Sequence, residues 1–322
     1  MQFKTANRTV DELTAHKNEF SKMIKEAVGG DKRGVVDPKA FDFLTANRID
    51  VAALMVQLIS DTVTLTDPTP FMVDRRQYGI GDQILFQELR GDMKVTNRAY
   101  GSKPLSQRLT KIEYPMFTQS KEIGAELPLE EIASGAMTAA DAINGIAEGI
   151  LRHRVQFVLD GIDAGIPAAT SDHSGIPGAT LRYSGLTAAN LGLALDGLKD
   201  DGDAPTIFAR HGALYPAVRA FAGWSQDGIR EFELRGVTGV FQGSPLVTLV
   251  DKFSRKAGRH VIRRDRVYIS GSTKGAVMAE VDMSFLNYAI TDPRTATFAT
   301  GLRLEEGLLV WNPYAYRIIE VS

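Results

Sequence analysis

The apolar positions along this chain change their period several times, and each change marks an element. From Thr9 to Ala27 a polar segment carries a narrow apolar stripe, Leu13, Phe20 and Ala27, among Lys17, Glu19, Lys22, Lys25 and Glu26. Thr9 and Glu12 form a capping-box pair, and Gly29-Gly30 ends the run. So thin a stripe predicts an arm lying on something else rather than a core helix. Helix restarts at Asp37-Pro38, with aspartate as cap and proline in the first turn, and continues through Phe41, Leu44, Val51, Leu54, Met55 and Leu58. The β-branched run Asp61 to Thr66, followed by Pro68 and Pro70, is expected to close it.

Between Gly81 and Ala125 the period drops to two. Ile84 to Phe86 and Leu109 to Phe117 read as strands, with Ile112, Tyr114 and Met116 on one face and Lys111 and Glu113 on the other. The crest between them is polar and turn-rich: Arg90-Gly91-Asp92, Asn97-Arg98, then Tyr100 to Pro104. Paired arms of about 15–20 residues would span roughly 50–65 Å, longer than the radius of a domain this size. A two-stranded ribbon is marginal alone in water, so it needs a surface, and a neighbouring copy of the chain is the simplest one.

Thr138, with Asp141 three residues on, caps the longest helical signal. Ile143, Ile146, Ile150, Phe157, Val158 and Ile162 carry it to Asp163, and interspersed alanines and glycines permit close approach by another element. About 25 residues of helix would be near 38 Å long, a strut. Gly165 to Gly185 is a loop with an internal echo, Gly165-Ile166-Pro167 against Gly175-Ile176-Pro177. Helix, strand and helix follow at 187–199, 206–209 and 211–221. The remainder is strand-like, at 246–250, 266–269, 275–281, 296–304 and 308–321. Helices segregated from a late set of strands give the α+β class.

Composition narrows the function. The net charge of −2 excludes a surface that is basic throughout, so any nucleic-acid contact must be local. Cysteine is absent, which removes disulfides, thiolate metal sites and cysteine nucleophiles together. No apolar run of about 18 residues is visible, and the start has no apolar leader core, so a membrane span is not expected.

Candidate chemistry is sparse. His16, His153, His173, His211 and His260 show no metal-ligand spacing, and no metal or cofactor is expected. Ser171-Asp172-His173 contains triad residue types without triad geometry. Gly223 to Gly228, around Ser225, places its second glycine one residue late for a nucleophile elbow. Gly271-Ser272-Thr273-Lys274-Gly275 lacks phosphate-loop spacing, and the pairs Glu130-Glu131 and Glu305-Glu306 are expected to face solvent. The expectation is therefore no enzyme, with a hydrolase using His173 or Ser225 as the remote alternative. One charge cluster stands out: Lys252, Arg255, Lys256, Arg259, Arg263, Arg264 and Arg266, opposed within that span only by Asp265. Three readings stay open for it: a patch meeting phosphates, a solvated loop, or salt bridges across a subunit contact with Asp227, Glu231 or Glu233.

The order of elements resembles the major capsid proteins of tailed bacteriophages, whose fold is shared with encapsulins and herpesvirus shells. Local phrases resemble them too: Ala204-Pro205-Thr206-Ile207-Phe208, Gly243-Ser244-Pro245-Leu246-Val247, Val267 to Gly271, and the closing Trp311-Asn312-Pro313-Tyr314-Ala315-Tyr316. The resemblance implies an N-terminal arm at 1–36 and a discontinuous peripheral domain at 37–80, 126–186 and 291–322, with its spine helix at 138–163. It implies an extended loop, the E-loop, at 81–125, and an axial domain at 187–290. Arg90, Asp92, Lys94, Arg98, Tyr100, Lys103 and Arg108 would then make inter-subunit contacts, and the basic cluster would lie near a capsomer axis or face packaged DNA. The implied function is a coat subunit forming pentamers and hexamers of an icosahedral or prolate head around double-stranded DNA, with an encapsulin-type compartment as the alternative. The implied partners are other copies of the chain, a separate scaffold protein, a portal and a decoration protein, with no membrane. The implied place is the virion, assembled in the host cytoplasm.

Overall fold

The computed structural model describes residues 9–29, 35–79, 82, 84–90, 110–166, 181–210, 213, 240–249, 262–263, 265–281, 286–292 and 294–321. The chain opens with helices α1 (Val10–Val28), α2 (Pro38–Ala46) and α3 (Arg48–Thr66), then a short turn of 3₁₀ helix at Thr69–Phe71. Both caps of α1 form as the capping box predicts, Glu12 N donating to Thr9 and Thr9 N to Glu12. The helix is not an arm, however. Leu13, Phe20, Ile24 and Val28 are buried in a core shared with α3. The stripe looked thin because Lys17 interrupts it; that side chain is buried too, and its Nζ donates to Asn144 Oδ1 at 2.6 Å. Burial lowers the Lys17 ammonium below its ordinary pKa.

The β-branched run 61–66 does not stop α3. Thr62 and Thr66 return their hydroxyls to the carbonyls of Leu58 and Thr62, so the helix accommodates them. Helix and turn together, Arg48–Phe71, are long and apolar enough to cross a membrane by length and composition, contrary to expectation. Val51, Ala52, Met55, Val56, Leu58, Ile59 and Val63 spend that apolarity on the core.

The strands begin with β1 (Asp74–Tyr78), β2 (Leu85–Arg90), β3 (Thr110–Pro115) and β4 (Gln119–Pro128). Helix α4 (Leu129–Ser134) precedes the long helix α5 (Ala139–Gly165), whose 27 residues start at the Thr138–Asp141 capping box. After β5 (Arg182–Ser184), helix α6 (Ala188–Asp200), capped by Thr187, leads into β6 (Thr206–Arg210). The last strands are β7 (Val240–Phe241), β8 (Ser244–Leu249), β9 (Arg266–Ser270), β10 (Ala276–Val281), β11 (Leu286–Asp292), β12 (Thr297–Val310) and β13 (Tyr316–Glu320). The helix expected at 211–221 and the echo within 165–185 lie largely outside the described residues.

Two main sheets result. In the first, β12 is the central strand: β4 runs along one edge, and β10 and β11 share the other, with β1 outside β10. The second has the order β5-β13-β9-β6-β8-β7. β12 was expected to break near Gly307, yet it continues to Val310. The glycine is there because the Phe117 carbonyl approaches to 2.7 Å of where a Cβ would stand. The pairings also divide the chain differently from the implied domains. β5 and β13, assigned to the peripheral segments, complete the six-stranded sheet with β6, β7, β8 and β9, whereas β10 and most of β11, assigned to the axial segment, belong to the first sheet. Hydrogen-bonded partners far apart in sequence decide this, and no local pattern announces them.

Candidate functional site

The extended hairpin is the first candidate. Leu85 pairs with Pro115 and Arg90 with Thr110, which gives six-residue arms among the described residues, about 20 Å long. The expected alternation holds: Ile112, Tyr114 and Met116 turn inward while Lys111 and Glu113 are exposed. The hairpin ends sooner than expected, since 119–128 leaves it as β4 to pair with β12. Its root is fastened to its own chain. Phe86 and Met116 are buried against Val277 and Ala279 of β10, with Tyr78, Leu309 and Trp311 around them. The Phe86 ring stacks on Trp311 at 5.4 Å, and the Arg76 guanidinium covers it at 5.1 Å. The root therefore grips one face of the first sheet while α5 packs on the other through Val158, Ile162 and their contacts with Met278 and Leu308. Phe86→Ala is expected to lower the unfolding free energy by about 1–3 kcal/mol in urea titration, with the secondary structure unchanged by circular dichroism.

Of the expected inter-subunit residues, Arg90 has its backbone in β2. Asp92, Lys94, Arg98, Tyr100, Lys103 and Arg108 lie outside the described residues.

The second candidate was not among those the sequence reading put forward. Asp67, Arg75, Lys121, Arg154, Glu280 and Glu306, each from a different part of the chain, meet between α5 and the first sheet. Arg154 donates to Glu306 at 2.9 Å and to Asp67 at 3.1 Å, and lies 3.3 Å from Glu280. Arg75 holds Asp67 at 3.1 Å and both Glu280 oxygens at 2.5 and 2.7 Å. Lys121 reaches Glu306 at 3.5 Å and sits over the Phe157 ring at 4.0 Å. Three cations balance three carboxylates. The Asp67 side chain is 0% exposed and that of Glu306 2%, so the solvent-facing expectation for the Glu305-Glu306 pair is corrected at Glu306, whereas Glu305 is half-buried. Burial alone would lower the Arg154 guanidinium, but Glu280, Glu306 and Asp67 outweigh it and hold the pKa above its ordinary value. A signal existed: Arg154 falls four residues after Ile150 and four before Val158, on the apolar face of its helix.

The third candidate is the basic cluster. Lys252, Arg255, Lys256, Arg259 and Arg264 lie outside the described residues. Arg263 and Arg266 turn to carboxylates of their own chain: Arg266 bonds Asp163, Arg263 lies 3.5 Å from it, and Arg266 is 3.9 Å from Glu320. Arg182 joins them, 3.1 Å from Asp163 and 3.5 Å from Glu320, while donating to the carbonyls of Asp163 and Ile166 at the end of α5. The Gly271–Gly275 loop likewise holds an internal anion. Ser272, Thr273 N and the Thr273 hydroxyl all donate to Asp203 Oδ1 at 2.7 to 3.0 Å. Burial would raise the Asp203 carboxyl, but the hydrogen bonds from Thr273 and Ser272 prevail and keep it below its ordinary range.

Among the described residues no group of three or more His, Asp or Glu side chains could hold a metal ion. His173 and Ser225 lie outside them; His153, on α5, is partly desolvated, and this together with Lys121 lowers its pKa.

The fold as a whole is similar to that of solved structures. A chain from the capsid of the cyanophage P-SCSP1u has a TM-score of 0.53 at 11% identity, covering 80% of this chain and 88% of that one. This is the phage capsid fold. A chain from Gordonia phage Cozz has a TM-score of 0.50 at 15% identity, covering 79% of this chain and 85% of its own. A virus-like particle subunit from Pyrococcus furiosus, at 0.47 and 13% identity over 81% and 96%, adds nothing to the choice between kinds of shell. No family model and no curated protein matches the sequence.

Proposed function

We propose that this chain is the major capsid subunit of a tailed-phage head, assembling with copies of itself into pentamers and hexamers of a closed shell. The capsid fold, spanning about four fifths of the chain, is the observation that carries the reading. The hairpin supports it. Its root is gripped by Phe86, Met116 and Trp311 on one face of the parent sheet, and the segment 91–109 continues from there. A two-stranded ribbon gains little stability unless a surface covers it, and in a shell the next subunit supplies that surface. Head-to-tail contacts of this kind close into rings when the rotation per subunit permits, and need no reacting residue. Packaged double-stranded DNA, a separate scaffold, a portal and a decoration protein complete the proposed set of partners, and the virion is the proposed location.

Sedimentation velocity of the full chain expressed with its scaffold tests this. Capsomers or shells, sedimenting far faster than the single subunit, are the expected species. A monomer at every salt concentration and protein concentration would overturn the reading.

A further inference from the structure

The first sheet has two faces, and alternation along β12 separates them. Phe298, Leu302, Glu306 and Leu308 point toward the helices, where they meet the apolar cores and Arg154. The residues between them take the outer side. Half of that outer side is covered by the chain itself: Val277 and Ala279 of β10 are buried under Phe86 and Met116, and the Phe117 carbonyl closes on Gly307. The half toward Thr297 is open. Its rungs are Arg303 with Glu122, Gly301 with Gly124, and Ala299 flanked by Glu126 and Ile290. Glu122, Gly124, Glu126, Arg303 and Ile290 are exposed, and the rung of two glycines adds no side chain. Phe117, 85% exposed at the border with the covered half, and Ile290, 54% exposed, give the open half two apolar rims.

The hairpin leaves the sheet at the opposite end. Phe86, paired with Tyr114, stacks on Trp311; Phe117 then crosses Gly307; Gln119 pairs with Glu306 and Pro128 with Thr297. The chain from Thr110 to Pro128 therefore runs on toward the open half, and the crest 91–109 belongs to the far end. Thr110 to Glu122 is twelve residues along this course, about 40 Å at the rise of a strand. The nineteen residues that leave Arg90 and return to Thr110 reach about 30 Å. A crest that short does not fold back over the open half of its own sheet, whereas the crest of another copy can cover it. Charge points the same way. The open half carries Glu122, Glu126, Asp292 and Glu305 against Arg303 and Arg294, and the crest carries Lys94, Arg98, Lys103 and Arg108 against Asp92.

We propose that the open half of this outer face, formed by β4, β12 and β11, is the docking surface for residues 91–109 of a second copy. The inference rests on the shell reading and names the surface that the hairpin meets. Because crest and open half stand at opposite ends of one sheet, each copy presents both sides of a head-to-tail contact, which repeats around a ring. The opposed charges set the register and orientation of the crest more than they add affinity. The covering of a marginal ribbon and the covering of a bare sheet face are then one and the same contact.

Particles co-assembled from normal and isotopically heavy full-length subunits, treated with a carbodiimide, test it. The reagent joins lysines to carboxylates in direct contact, without a spacer, and mass spectrometry reads the linked peptides. Lys94 or Lys103 is expected to be joined to Glu122, Glu126 or Asp292, with heavy-to-light pairs among the products. The double variant Glu122→Lys, Glu126→Lys is expected to lower particle yield about tenfold or more, with the urea midpoint of the subunit unchanged. Adding Lys94→Glu and Arg98→Glu to that chain is expected to recover most of the yield. Linked pairs within single copies only, crest lysines joined to other carboxylates, or full yield from the charge-reversed chain would each overturn the proposal and leave the shell reading standing. No particles from the unaltered chain would overturn that reading, and the proposal with it.

Discussion

Arg154→Met is expected to destabilise the subunit by about 3–5 kcal/mol, the largest loss we predict for any single substitution. The cause is what remains. Without the guanidinium, Arg75 still holds Asp67 and Glu280 and Lys121 still reaches Glu306, but all three carboxylates lose a partner and two cations are left against three anions, with Asp67 and Glu306 almost wholly buried. An uncompensated buried charge is costly, whereas a fully matched set is close to neutral beside apolar residues of similar volume. The double variant Arg154→Met, Glu306→Met is therefore expected to lose clearly less than the two single variants added together. Urea titration of all three, with a constant m-value, checks the coupling. Strict additivity would mean that the six charges do not act as one centre.

Deleting Arg90 to Lys103 is expected to leave a soluble, folded subunit that forms no closed shells. The root of the hairpin, Phe86 and Met116 on β10, remains, and the apolar cores of the helices and both sheets lie elsewhere. The urea midpoint should therefore stay near that of the intact chain while electron microscopy finds no particles. Normal shells from the deleted chain would contradict the role assigned to the hairpin.

Much of this fold was legible locally. The Thr9–Glu12 and Thr138–Asp141 capping boxes, the alternation from Lys111 to Met116 and the cap at Thr187 are written within a few residues of where they act. What stayed hidden depends on residues brought together from afar. Lys17 made α1 look like an arm because its partner, Asn144, lies on another helix. Glu306 read as a surface carboxylate because Arg154, its partner, is on α5. The carboxylates that Arg263 and Arg266 meet, Asp163 and Glu320, were missed for the same reason: they stand far outside the cluster's span of sequence, in which only Asp265 opposes it. That β13 pairs with both β5 and β9 stayed hidden because no periodicity encodes such pairings. The capsid resemblance, by contrast, rested on the order of elements, and order survives at 11–15% identity.

The most direct measurement is an electron cryomicroscopy map of particles assembled from the full chain, detailed enough to trace the backbone. Residues 91–109 are expected to lie across the adjacent subunit, beyond the Phe86–Trp311 anchor. A map in which that segment folds back over the subunit it belongs to would contradict the shell-building role given to the hairpin.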